Sequence, residues 1–400
     1  MSKRRANNEG SIYKRQDGRW CASVTLPGGT RKSYYGKTRQ EVAQKLTGAL
    51  KLVQDGLPLP SEQLKVGRYV QEWLQSICAS VRVSTWERYE QLLRLYALPA
   101  VGHVSLARLE PRHLQRLYTD CLTRGNAPAS VRQLHAVLHR ALGQAVRWGL
   151  LTRNVAAVVS PPRVSSPEMT PLSAVQVQTL LRTVTGDRFA ALYVLAVTAG
   201  MRLGELLALA WHHLDAEAGT LQVRATLLRT KSGLQLAEPK TARSRRRLTL
   251  APSALEALRQ HRRLQAEERL RLGPIWHDMN LMFPNELGKP MDAGNFLSRS
   301  FRPLLKRAGL PQHRFHDLRH TAATLMLAQG VHVKVVSEML GHSRSGMTMD
   351  IYAHVLPDMQ HQAALAMETL LSRAGNPPII RPSPPGLLSE LLSKPYTAGL

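Results

Sequence analysis

Two arginines, two histidines and a tyrosine occur in the second half of this chain in an order that suits attack on a phosphodiester. Arg202 sits in Thr198-Ala199-Gly200-Met201-Arg202-Leu203-Gly204-Glu205, a turn running into an apolar helix with Glu205 in its first turn. In His316-Asp317-Leu318-Arg319-His320 the first and fourth residues are i and i+3, so His316 and Arg319 are expected on one helix face. Leu340-Gly341-His342 ends an amphipathic helix at a natural glycine stop, and Tyr352 follows ten residues after His342. Each feature alone is ordinary: a surface arginine, a chance HxxR, a core tyrosine. Together, in this order, they form a combination that random sequence rarely supplies. Breaking a phosphodiester in line builds negative charge on its nonbridging oxygens, which preorganised cationic donors can answer. A phenol can serve as the nucleophile once neighbouring cations or a base offset its pKa of ~10.

The charge balance points to the same class of substrate. Lys and Arg number 54 against 28 acidic residues, a formal charge of +26, so a polyanion is the expected partner. The excess is +8, +8 and +10 over residues 1–60, 61–165 and 166–400, which excludes a single basic tail on a neutral enzyme. Three cysteines, far apart, suggest neither a disulfide framework nor a zinc set and fit a reduced cytoplasm. The longest apolar stretch, residues 189–201, is too short for a bilayer, so no membrane association is expected. There is no GxxxxGK[ST] loop, no HExxH and no dense acidic cluster, so neither a cofactor nor a metal is expected.

Positioning these groups takes several elements, and 400 residues suggest two or three domains. From residue 11 to 35 a period of two, broken at Asp17-Gly18 and at Pro27-Gly28-Gly29, predicts a three-stranded sheet. Thr38-Arg39-Gln40-Glu41 reads as a capping box opening a helix towards Leu52. Arg19, Arg31 and Lys32 on this sheet, among Tyr13, Trp20, Tyr34 and Tyr35, are candidates for DNA contact, since β-ribbons can enter a groove. Residues 54–60 read as a linker. Residues 64–157 are helical in texture, with Ser84 a candidate cap, Pro111 in a first turn and a helix from Ser130 through Trp148: a four- or five-helix bundle. Its basic residues are nearly all arginine, with Arg82, Arg132 and Arg140 candidates for phosphate contact. The Pro- and Ser-rich residues 160–171 mark a domain boundary, and the Pro-rich end is not expected to form regular structure apart from a short helix at 387–392.

On these motifs, residues 170–372 resemble the catalytic domain of the tyrosine recombinases, and the whole chain resembles the three-part layout of the phage and conjugative-transposon integrases. The resemblance implies an arm-type DNA-binding domain at 1–55, a helical, SAM-like core-binding domain at 62–160, a mainly α (α+β) catalytic domain at 168–375 and a tail at 376–400. By it, Arg202, His316, Arg319 and His342 are catalytic and Tyr352 is the nucleophile, with Glu205 supporting. The family's lysine falls on Lys240 in Glu238-Pro239-Lys240-Thr241-Ala242-Arg243, with Lys231 the rival and Arg243 a further DNA contact. Arg202 and Arg319 would grip the phosphate oxygens, His342 would donate to them, His316 would accept the phenol proton and Lys240 would protonate the departing 5′ oxygen.

The amphipathic stretch at 359–374 either packs within its own chain or docks on the next protomer, and the resemblance implies the second, a homotetramer on double-stranded DNA with core and arm sites. An excisionase or a host DNA-bending protein is a further expected partner. Two other readings stay open at this point: a type IB topoisomerase-like relaxase, and a non-enzymatic DNA-binding regulator derived from an integrase.

Overall fold

A computed structural model describes residues 10–25, 31–54, 64–165, 170–239, 244–341, 364–365 and 367–371. The chain divides into two compact units, Met1–Pro167 and Glu168–Leu400.

The first unit opens with strands β1 (Ser11–Lys14), β2 (Trp20–Thr25) and β3 (Arg31–Gly36), antiparallel in that order. Alternation sends Ala22 and Val24 towards helix α1 (Arg39–Gln54), where Val42, Leu46 and Ala49 close a small core with them. The expected cap is present: Thr38 Oγ1 accepts the Glu41 N–H at 3.2 Å, and the Glu41 carboxylate accepts the Lys37 N–H at 2.9 Å. Lys32 pairs with Val24, which places it on the helix-side face, whereas Arg31 donates to Ser11 and Ser23 across the other face. These two neighbouring DNA-contact candidates therefore lie on opposite faces of the sheet. The turn expected at residues 27–29 lies outside the described residues.

A second core in this unit belongs to helices α2 (Val66–Ile77), α3 (Val83–Leu92), α4 (Leu98–Val101), α5 (Pro111–Thr123) and α6 (Pro128–Arg147). Tyr69, Trp73, Tyr118 and Leu134 are fully buried there, and the Tyr69 hydroxyl donates to the Ala141 carbonyl at 2.6 Å. Pro111 begins α5 as its first residue, where its missing N–H costs nothing. Ser84 does not cap α3: the N-cap position belongs to Arg82, and Ser84 lies within the first turn. Between α3 and α4 the chain widens into a π turn, Leu93–Ala97, closed by the Leu98 N–H on the Leu93 carbonyl just before Pro99. The same device recurs at Leu297–Phe301, before Pro303. In each case the wider turn precedes a residue with no N–H to continue the α ladder. On this unit Arg132 and Arg140 are exposed on α6, with the Arg140 guanidinium over the Tyr89 ring at 5.7 Å.

The second unit is mainly helical: α7 (Ala174–Thr183), α8 (Ala190–Thr198), α9 (Leu203–Leu206), α10 (Pro252–Leu272), α11 (Ala293–Phe296), α12 (Arg302–Arg307), α13 (Phe315–Ala328) and α14 (Val333–Leu340). Strands β4 (Leu214–Asp215), β5 (Thr220–Val223) and β8 (Arg246–Thr249) form one antiparallel sheet, and β6 (Thr226–Thr230) with β7 (Gly233–Ala237) forms a hairpin. Helix α8 is buried almost all round, against a core that includes Phe283, Phe296, Phe301 and Phe315. At its start the Arg188 guanidinium grips Glu268 of α10 through two hydrogen bonds of 2.6 and 2.9 Å and also donates to the Pro284 and Asn285 carbonyls. A small sheet and helix, a helical bundle and a mainly helical domain with short strands are the fold class expected from the sequence.

Candidate active site

Arginines from three separate stretches of the second unit, Arg202, Arg246 and Arg319, gather near Glu205. Arg202 occupies the N-cap position of α9, and Glu205, three residues on, turns back to accept its backbone N–H at 3.1 Å and its Nη1 at 2.7 Å. The second Glu205 oxygen accepts Nη2 of Arg246, from the start of β8, at 2.9 Å. Glu205 is buried, as is the Arg246 side chain. Burial pushes the Glu205 carboxyl up, yet Arg246 and then Arg202 outweigh it and hold the group below the usual carboxylate range. An acid with two cations attached is what permits two guanidinium groups to sit this close.

Arg319 approaches from α13. Its Nη1 donates to the Gly200 carbonyl at 2.9 Å, while Nη2 is buried and has no hydrogen-bond partner among the described residues. Only 2% of Arg319 is accessible. Burial first, then the charge of Arg202, lowers its guanidinium to about 9, so it remains a cation at neutral pH. A buried charged donor left unmatched is costly, so Nη2 calls for an acceptor beyond the described residues.

Two glycines let these stretches converge. Gly200 has φ +61°, and a Cβ there would collide with the Leu340 side chain of α14. Gly341 ends α14 in the left-handed conformation at φ 65°, and its carbonyl lies 3.4 Å from Arg202 Nη2. Both positions require φ values that residues with a Cβ seldom adopt.

His316 and Arg319 share α13 but not their environment: Arg319 points into the protein and His316 is exposed. The His316 ring meets that of His320 edge-on, with centroids 5.0 Å apart. Packing around the part of the ring that solvent does not reach, then His320, Arg319 and Arg202, lowers the His316 pKa to about 4, so the imidazole is neutral at pH 7. Because its pKa lies below the unfolded value of about 6.5, the unfolded chain binds the extra proton between those limits. His316 therefore opposes folding progressively as pH falls from about 6.5 to about 4. In the DNA-free protein, NMR of the His316 ring is expected to show a mainly neutral imidazole at pH 5. A midpoint at 6.5 or above would contradict this environment.

The first turn of α13 that carries both residues is pinned by Asp317, whose carboxylate accepts the Arg314 N–H and Nη2, each at 2.8 Å. Lys231 sits exposed at the tip of the β6–β7 hairpin. Lys240, Arg243, His342 and Tyr352 lie outside the described residues, so the geometry at hand is the arginine and glutamate half of the predicted constellation. Arg246 was not singled out from the sequence. Its signal was the alternation of Ser244, Arg246, Leu248 and Leu250, all facing inward or nearly so, against exposed Arg245 and Arg247. Among the described residues no group of three or more His, Cys, Asp or Glu could hold a metal ion, and no helix is long and apolar enough to cross a membrane.

Residues 171–359 match the model of the phage integrase family, and residues 65–122 match its N-terminal SAM-like domain. A tyrosine recombinase XerC-like protein of Caldanaerobacter subterraneus subsp. tengcongensis is 30% identical over 360 residues, covering 85% of this chain and 91% of the relative. The chain belongs to the phage integrase family of tyrosine recombinases. It is accordingly an enzyme of DNA strand exchange, and the family match spans positions 342 and 352 as well as the described cluster. Solved structures show the same fold. The Tn1549 transposon integrase in complex with a circular intermediate DNA superposes with a TM-score of 0.63 at 20% identity, over 74% of this chain and 99% of that one. A lambda integrase tetramer bound to a Holliday junction superposes at 0.53 and 18% identity, over 87% of this chain and 96% of that one.

Proposed function

We propose that this recombinase integrates and excises a mobile element, such as a prophage or transposon, by cutting DNA through a 3′-phosphotyrosyl link on Tyr352. The observation that carries the reading is the buried, half-matched Arg319 guanidinium beside Arg202. Two cations near enough for one to lower the pKa of the other, one with a donor unpartnered among the described residues, are suited to the nonbridging oxygens of a single phosphate. In the proposed step the Tyr352 oxygen attacks the scissile phosphorus while neutral His316 accepts the phenol proton. The bond to the 5′ oxygen breaks as Lys240 supplies that oxygen with a proton, and His342 donates to the same nonbridging oxygens as the arginines. One phosphoester replaces another, so a 5′ hydroxyl from the partner duplex can reverse the step without ATP. Glu205 sets the arginines and takes no part in proton transfer, because its carboxyl is held ionised.

The remaining parts divide in the same reading. Residues 62–160 and 168–375 each bind core-site DNA, with Arg82, Arg132, Arg140 and Arg243 on its phosphates. Residues 1–55 bind arm sites through the sheet face that carries Arg31. Four copies assemble on two core sites in the host cytoplasm, joined through the helix whose Leu365, Met367, Leu370 and Leu371 are exposed. The lambda integrase tetramer on a Holliday junction supports that arrangement by fold. Direction would be set by an excisionase or a DNA-bending host protein.

Two duplexes bearing the junctions of the element around the gene are expected to exchange ends when mixed with the protein. If supercoils of a plasmid without such junctions relax while no ends are exchanged, the protein is a relaxase instead. Binding with neither reaction would leave a DNA-binding regulator.

A further inference from the structure

Arg246 is the cation of the cluster that neither the motif nor the proposed chemistry uses. We propose that Arg246 is a positioning residue for strand cleavage, coupling the Arg202–Glu205 pair to the end of α14; the proposal rests on reading the cluster as the scissile-phosphate site. Each of its three nitrogens is engaged inside the protein: Nη2 with Glu205 Oε2 at 2.9 Å, Nε with the Met339 carbonyl at 2.5 Å and Nη1 with the Ser244 carbonyl at 3.2 Å. With its side chain 6% accessible, it is not presented to a polyanion, unlike Arg245 and Arg247 beside it at 57% and 59%.

The chemistry of Glu205 explains why a second cation is needed. A carboxylate facing a lone arginine takes both prongs of the guanidinium fork. Here Arg246 occupies Oε2, so Glu205 reaches the Arg202 side chain through Oε1 alone, and Nη2 of Arg202 stays directed towards Gly341. Remove Arg246, and Oε2 keeps only the Arg202 backbone N–H at 3.1 Å, so the carboxylate can turn further onto the Arg202 fork that a phosphate requires. The contact with Met339 acts at the same place from another side. It satisfies a carbonyl of the last turn of α14 and so fixes the helix end that Gly341 caps. Strand β8, the turn bearing Arg202 and the end of α14 are thereby tied through one planar group, which a lysine cannot reproduce.

The test uses the full chain on a nicked suicide substrate carrying the element's junction. Arg246→Gln and Arg246→Lys are expected to slow covalent adduct formation at saturating DNA on the order of tenfold to a hundredfold. The Kd for DNA and the slope of its salt dependence should match wild type. An unchanged rate in a folded variant overturns the proposal. So does a weaker Kd with a salt slope reduced by about one and an unchanged saturated rate, which would make Arg246 a phosphate ligand. If Arg246→Gln shows no cooperative melting, Arg246→Lys decides, and failure of both to fold assigns the residue to the fold alone and overturns the proposal as well. Absence of adduct with the wild type would instead sink the underlying reading of the site.

Discussion

Arg319→Lys is expected to lose about a hundred- to a thousandfold in the rate of adduct formation at saturating DNA, roughly 3–4 kcal/mol of barrier. The reason lies in geometry rather than charge, since lysine keeps the cation. Nη1 of Arg319 is committed to the Gly200 carbonyl, which fixes the plane of the guanidinium and aims Nη2. An ammonium satisfied by that carbonyl presents a point charge with no second arm of fixed direction, so the developing charge on the phosphate loses a preorganised donor. Affinity for DNA should move little, because this group is too buried to steer an approaching duplex. Single-turnover cleavage at several DNA concentrations separates the two quantities. A loss under tenfold, or one confined to Kd, would remove Arg319 from the transition state.

Glu205→Ala is expected to destabilise the protein by about 3–5 kcal/mol, the usual result of removing one partner from a buried ion pair. The side chain lost is 3% accessible and leaves Arg246, at 6%, without its anion. Urea unfolding monitored by circular dichroism measures the change, and a loss below about 1 kcal/mol would show that the arginines are solvated without Glu205. The pH dependence has a definite sign. The folded Glu205 pKa lies below the ordinary value of 4.5, so its contribution is complete above that value and is lost as pH falls through the lower folded value. Wild type should therefore lose stability in this acid range that Glu205→Gln, with no proton to gain, does not lose through this group.

How much of this could be read in the residues themselves varies with the range of the interaction. The capping pair Thr38 and Glu41, the proline opening α5 and the left-handed stop at Gly341 are local, and each was legible because its physics involves only a few adjacent residues. Arg202, His316 and Arg319 were legible as a pattern because their order along the chain is informative even without distances. The different fates of His316 and Arg319 on one helix were not, since helical spacing says which face a side chain takes but not what packs over it. Arg246 was hidden in a basic run whose members look alike until one is known to face Glu205, 41 residues away in sequence. Ser84 misled because a good capping residue near a helix start need not be the cap: Arg82, two residues earlier, holds that position with no side-chain cap bond. The two π turns before Pro99 and Pro303 follow from how an unbroken helix continues into a proline, which composition alone does not disclose.

The most direct measurement is the identity of the residue that becomes linked to DNA. A suicide substrate nicked beside the cleavage point should trap the protein on the 3′ phosphate, and mass spectrometry of the digested adduct should place one nucleotide remnant on Tyr352, with none formed by Tyr352→Phe. A remnant on any other side chain, or an equal yield of adduct from Tyr352→Phe, would contradict the account.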